Sequence, residues 1–274
     1  MGGQGQTQGQ IEDRALESLL AFWAEAGVDA LYADEPVNRL AEPVPPRRVQ
    51  PAPAAPATVS RIAPAPDISA AIAQAHALAE AAQDLAALEA AIAGFDGCGL
   101  KFEGARRAVF ARGDPAAPVL VIGEGPGADE DAQGAPFVGR AGKLLDKMLT
   151  AAGLHDRVFI TNTVYWRPPG NRTPTPAEQQ VCRPFLERTI ALLQPRFLLL
   201  VGASSAKSVL GREEGILTLR GRWFEWTSPD TATVLPALPT LHPAFLLRQP
   251  AAKKKAWSDL LTLAERLDRP ERPA

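Results

Sequence analysis

The side chains best suited to chemistry stand at the ends of three apolar runs. Residues 119–122 stop at Gly123 and are followed by Glu124, Asp129, Glu130 and Asp131; residues 158–164 carry Asn162; residues 234–241 end on His242-Pro243. A short apolar run stopped by glycine reads as a buried strand that hands a loop to a site. Gly123, Gly125 and Gly127 would suit a phosphate cradle, which works through bare backbone N–H groups at a helix N-terminus. Here four carboxylates crowd that place and no Lys-Ser/Thr pair follows, so the pattern disfavours nucleotide phosphate. Taken alone, the loop is equally well explained as an acidic surface turn.

Taken singly, the other residues also have plain explanations. An Asn at a strand end suits a turn, a His before proline suits a structural hydrogen bond, and Phe137 after Pro136 suits a core. Brought to one sheet edge, the three can read a planar ring. Phe137 would stack on its face, the Asn162 amide would pair with its edge, and His242 would donate to its oxygen.

Those positions need a scaffold that brings the three run ends together. Helical patterns at 141–152, 176–193, 204–210 and 252–267 alternate with apolar runs at 119–122, 158–164, 197–201 and 234–241, and residues 217–226 read as a strand or hairpin around Gly221. The alternation predicts an α/β fold of three layers, with a central, mainly parallel four-stranded sheet between helices. In such sheets the site lies beyond the carboxyl ends of the strands, where Glu124, Asn162 and His242 would converge. Thr175, Pro176 and Glu178 form a helix start with a capping box, which accounts for those residues structurally.

Ahead of this domain, residues 69–93 form an alanine-rich helical pattern that feeds a glycine-broken turn at 94–99. Residues 1–10 are Gly and Gln without periodicity, 13–26 carry Leu16, Leu19, Leu20 and Trp23 at helical spacing, and 43–66 are proline- and alanine-rich. That composition predicts disorder, a short helix and an extended linker. The expected division is therefore an extension over 1–66 and a domain over 67–270, with its core at 95–263.

The chain of 274 residues is 46% hydrophobic, enough for a sizeable core. It has no apolar run long enough to span a membrane and no signal-peptide pattern, and its two cysteines, Cys98 and Cys182, are too few for a disulfide framework. A bacterial cytoplasmic protein is expected. The net charge of -2 neither points to nucleic acid nor excludes it, because a local basic face is sufficient.

Several linked motifs carry a resemblance. Gly-Glu-Gly-Pro-Gly at 123–127, Pro-Phe-Val-Gly-Arg-Ala-Gly at 136–142, Thr-Asn at 161–162, Arg-Pro-Pro-Gly-Asn-Arg-Thr-Pro at 167–174 and His-Pro-Ala-Phe-Leu-Leu-Arg at 242–248 resemble, in order and spacing, the bacterial and archaeal uracil-DNA glycosylases of family 4. The likeness runs over about 95–263. It implies an enzyme that flips uracil out of DNA and hydrolyses its N-glycosidic bond, leaving an abasic site. Uracil would be bound by Gly125, Glu130, Phe137 and Asn162. Phe137 would stack on the base, Asn162 would read N3 and O4, and Glu130 would form the wall that excludes the thymine methyl group. The catalytic pair would be His242, stabilising charge on O2, and Glu124, placing or activating water. Family 1 enzymes carry a water-activating Asp where this chain has Gly125, which cannot act as a base.

Family 4 also implies a four-cysteine iron–sulfur cluster, but the four positions hold Phe95, Cys98, Trp166 and Cys182. Two ligands are gone and no other cysteine replaces them, so the expectation is no cluster and no cofactor, with Phe95 and Trp166 filling the volume. DNA contacts are expected from Arg167, Arg172, Phe245, Leu246, Arg248 and Lys253, with Leu247, Lys254, Lys255, Lys207, Arg220 and Arg222 as further candidates. The implied partner is uracil-containing DNA, single- or double-stranded, bound by a monomer, with the N-terminal extension available to a repair partner. The rival readings are a catalytically weak DNA-binding or damage-sensing relative and a doubly wound nucleotide-binding enzyme.

Overall fold

Every residue of three apolar runs is buried, and these runs form the centre of one sheet: β2 (Val119–Gly123), β3 (Val158–Asn162) and β4 (Phe197–Val201). The computed structural model describes residues 68–229 and 233–269; the helix expected at 13–26 and the linker over 43–66 lie outside them. β2 pairs in parallel with β3 and β4, and β6 (Val234–Thr240) pairs in parallel with β4. The expected parallel four-stranded sheet is this centre, but the sheet has six strands. β1 (Ala111–Gly113) adds antiparallel to β3 and β5 (Phe224–Thr227) adds antiparallel to β6, giving the order β1-β3-β2-β4-β6-β5. The two edge strands are three and four residues long and only partly buried, too short for a period-two pattern to show.

Alternate residues of each central strand face opposite cores, as the pleat requires. Val119, Val121, Ile160, Leu199 and Leu238 pack with Leu145 and Leu149 of a helix at Arg140–Ala151 and with Leu260, Leu263 and Leu267 of a helix at Lys253–Asp268. Leu120, Ile122, Phe159, Leu198 and Leu200 pack with Leu186 and Ile190 of a helix at Pro176–Leu193 and with Ala206 of another at Ala203–Leu210. The capping box expected at Thr175 is present: its hydroxyl accepts from Glu178 N at 3.3 Å, and Glu178 Oε2 accepts from Thr175 N at 2.7 Å.

In chain order the helices are α1 (Ile68–Ala81), α2 (Leu85–Gly94), α3 (Ala128–Gln133), α4 (Arg140–Ala151), α5 (Pro176–Leu193), α6 (Ala203–Leu210), α7 (Ile216–Leu219), α8 (Pro243–Arg248) and α9 (Lys253–Asp268). The single helix expected at 69–93 is two, α1 and α2. Asp84 breaks it by capping α2, accepting from Ala87 N at 2.7 Å, while Arg188 of α5 donates to the Ala82 carbonyl at 2.7 and 2.9 Å. The strand or hairpin expected over 217–226 is α7, a turn through Gly221 at φ 72°, and then β5.

α1 and α2 build a third core on α5. Ala71, Ala75, Ala79, Leu88 and Ile92 meet Phe95, Cys98, Trp166, Cys182 and Phe185 there.

Candidate active site

The parallel register sets Gly123 of β2 beside Asn162 of β3 and carries Thr240 of β6 out toward His242. A cleft of about 530 Å³ opens at these strand ends, lined among others by Glu124, Gly125, Glu130, Phe137 and His242. Of the residues expected to bind the base or act on it, only Asn162 is not on the lining. It is 1% exposed and lies behind the lining residues, against Gly123.

Its side chain is nonetheless the most telling feature of the site. Among the protein groups, neither Oδ1 nor Nδ2 of Asn162 has a hydrogen-bond partner. A buried amide left unpaired costs about 1–3 kcal/mol, a cost that a protein retains where a ligand supplies the missing partner. Gly123 makes the approach possible: a Cβ there would lie 2.4 Å from Asn162 Oδ1 and 2.5 Å from Phe137 Cε2.

Phe137 sits on a left-handed backbone, φ 54°, with its ring centroid 5.7 Å from that of His242 and tilted by 33°. The turn requires glycine at 142, where a Cβ would come 1.7 Å from the Phe137 carbonyl oxygen. Glu130 braces the same turn. Its Oε1 accepts from Val138 N and Gly139 N at 3.0 and 2.9 Å, and its Oε2 accepts from Gly127 N at 3.1 Å. The expected wall residue therefore also ties the glycine loop to the Phe137 turn.

His242 caps α8. The Ala244 N–H donates to His242 Nδ1 at 3.2 Å, so Nδ1 is an acceptor and the ring proton resides on Nε2. Burial, with the positive charge of Arg248 second, pushes its pKa down to about 4, against a smaller opposing pull from Glu130. The imidazole is thus neutral near pH 7 and has one N–H left to donate.

Glu124 lines the cleft, and burial raises its carboxyl pKa, partly offset by the Thr173 hydroxyl. Its carbonyl is fixed by a chain that sequence reasoning missed: Thr163 Oγ1 donates to it at 2.6 Å, and Gln179 Nε2 donates to Thr163 Oγ1 at 3.1 Å and Ser204 Oγ at 2.9 Å. The only sequence signal was Thr163 following Asn162 at the strand end. Gly125 has no room to be anything else without adjustment, since a Cβ would meet Val164 Cγ2 at 2.8 Å.

The residues expected to meet DNA divide. Phe245, Arg172 and Arg248 line the cleft. Arg172 also pairs with Glu178 at 2.7 Å and Glu103 at 3.4 Å. Arg167 donates to Asn171 Oδ1 at 2.7 Å and does not line the cleft; Lys253 is exposed at the start of α9, also off the lining. Leu246 is a correction. Residues 243–248 are helical, and that geometry turns Leu246 inward against Leu241 and Ala256, where it is fully buried and cannot wedge between bases. Arg220 is a second correction: it is bound to buried Asp259, with Nε 3.0 Å from Oδ2, and to the Lys255 carbonyl at 2.6 Å.

Phe95, Cys98, Trp166 and Cys182 do come together, all at most 2% exposed. The Phe95 and Trp166 rings are 6.5 Å apart, and Cys182 Sγ donates to Cys98 Sγ at 3.9 Å. That hydrogen bond and burial push the Cys182 thiol up. The residues do not fit an iron–sulfur cluster: two thiols face each other, and aromatic packing holds the other two positions. Among the described residues, no group of three or more His, Cys, Asp or Glu is placed to hold a metal.

The family model described as the uracil DNA glycosylase superfamily matches residues 110–261. The type-4 uracil-DNA glycosylase of Pyrobaculum aerophilum is 38% identical over 183 residues, 65% of this chain and 91% of that protein. Those of Sulfurisphaera tokodaii and Thermotoga maritima are 37% identical over 171 residues and 40% identical over 132, covering 60% and 47% of this chain and 77% and 66% of the relatives.

Proposed function

We propose that this chain, which belongs to the uracil DNA glycosylase superfamily, excises uracil from DNA by hydrolysing the N-glycosidic bond and leaving an abasic site. The observation that carries this reading is the unpaired, buried Asn162 amide set close to the Phe137 ring, which in turn lies 5.7 Å from the ring of a neutral His242. A flipped uracil completes the set. Its face stacks on Phe137, Asn162 Oδ1 accepts from N3–H, Asn162 Nδ2 donates to O4, and His242 Nε2–H donates to O2.

Cleavage leaves a cation-like sugar and negative charge on the departing base. A donor already aimed at O2 is strongest when that charge has developed, worth on the order of 3 kcal/mol. The neutral imidazole suits this task because its free N–H is fixed by the bond at Nδ1. Cytosine presents an amine where uracil has O4, so donor would face donor at Nδ2, and a site built around a buried hydrogen bond rejects such a base strongly. Glu124, as carboxylate, faces the sugar side and positions the attacking water; Glu130 closes the wall toward C5 while holding the Phe137 turn.

The enzyme works without a cofactor in this reading, the Phe95 and Trp166 rings replacing a cluster by packing, and purified protein should show no iron–sulfur absorption. Phe245, Arg172 and Arg248 at the cleft mouth, with Lys253 beyond it, meet the DNA. The test is alkali-revealed cleavage of an oligonucleotide with one uracil, against a thymine control. Wild type should cut only the uracil strand, and Asn162→Ala and His242→Ala should each slow release by about 100-fold or more. Undiminished release from both variants would overturn the assignment.

A further inference from the structure

The ring that stacks on the base stands on a turn that its own residues do not favour. Phe137 is a bulky residue at φ 54°, a region that side chains other than glycine seldom occupy. Something outside the turn must hold it. Its amide side is held by Glu130, through Val138 N and Gly139 N. Its carbonyl side is held by Arg112, a residue of edge strand β1 that does not itself line the cleft: Nε donates to the Pro136 carbonyl at 2.7 Å and Nη2 to the Phe137 carbonyl at 3.2 Å. Asp146 of α4 fixes the guanidinium in turn, at 2.6 Å.

We propose that Arg112 is the positioning residue for the base platform, clamping the Pro136 and Phe137 carbonyls so that the Phe137 ring is already in place before uracil arrives. This rests on the reading of the cleft as a uracil pocket, and it adds a residue that touches neither base nor DNA. The clamp is planar and two-pronged, which a guanidinium satisfies and an ammonium does only in part. A loose platform is costly because stacking geometry must be right when the bond breaks, and misplacement by about 1 Å at a reacting centre can cost on the order of 100-fold.

Removal of the guanidinium need not unfold the protein. Arg112 borders a separate cleft of about 300 Å³ lined also by Asp114, Asp146 and Asp156, from which water can reach the freed carbonyls. Arg112→Ala is therefore expected to fold and to release uracil roughly tenfold more slowly. Its KM for uracil DNA should hold within about twofold, since phosphate contacts are untouched, while the inhibition constant of free uracil rises with the loss in kcat. Arg112→Lys should recover part of both.

A second readout does not depend on activity. The chain has three histidines, and the His242 ring lies 5.7 Å from the Phe137 ring, so its C–H proton shifts report the ring current. In Arg112→Ala these shifts should move toward those of Phe137→Ala. Unchanged shifts and an unchanged uracil inhibition constant in folded Arg112→Ala would overturn the inference. Should wild type release no uracil at all, the reading of the pocket fails, and the proton shifts alone still decide whether Arg112 sets the ring.

Discussion

At the scale of the residue, the site works through groups kept from their usual partners. Asn162 is left with both amide ends open, and His242 is held neutral with Nδ1 already used. Replacing the amide should redirect the pocket. Asn162→Asp turns the donor at O4 into an acceptor, so uracil release should fall by about 100-fold or more and slow release of cytosine should appear, measured on matched oligonucleotides. With Glu124 proposed to place the water, the acid limb of the reaction is predicted to follow its carboxyl, whose pKa is raised by burial, because His242 with a pKa of about 4 is already neutral there. Activity should therefore fall at a pH above the ordinary glutamate range, and Glu124→Gln should flatten that limb at a low plateau rate. Stability carries the histidine's signature instead. The unfolded chain binds a proton near pH 6.5 that the folded chain refuses until about 4, so His242 contributes stability fully above 6.5 and loses it as pH falls through that window. Urea titrations of wild type and His242→Ala should converge in that direction as the pH is lowered.

At the scale of the element, each strand end delivers its residue because a neighbour leaves room or holds the turn. Gly142→Ala should test this severely, since its Cβ would fall 1.7 Å from the Phe137 carbonyl oxygen, and backbone cannot give way cheaply. Loss of several kcal/mol, or of base binding with the fold retained, is the expected result, read by thermal unfolding and by uracil inhibition. The same level shows what a sequence can and cannot reveal. The central strands were readable because burial on both faces writes them as unbroken apolar runs, and α5 because its cap is spelled out in Thr175-Pro176 and Glu178. Edge strand β1, the break at Asp84 and the inward turn of Leu246 were not, since a short half-exposed strand shows no period and a six-residue helix resembles a loop. Glu124, Asn162 and His242 were legible as strand-end residues with chemistry in them, and Phe137 as an aromatic after Pro136 that could stack on a ring. Thr163, Gln179 and Arg112 were not, because their roles exist only where three elements meet.

At the scale of the whole molecule, two cores hold the sheet and a third ties α1 and α2 to α5. That third core is where Phe95 and Trp166 pack, both essentially unexposed. Trp166→Ala should lower stability by about 3–5 kcal/mol, measured by denaturant unfolding, with kcat per folded molecule little changed. The central claim remains the pocket itself: a fixed amide and a neutral imidazole that together recognise one ring. It is tested most directly by following the Asn162 side-chain amide and His242 ring resonances by NMR while free uracil is added, with thymine and cytosine as controls. The account predicts that both resonances shift with uracil, hardly at all with the other two bases, and that His242 stays neutral throughout. Equal shifts with all three bases, or no shift at Asn162 from a protein that cleaves uracil DNA, would contradict it.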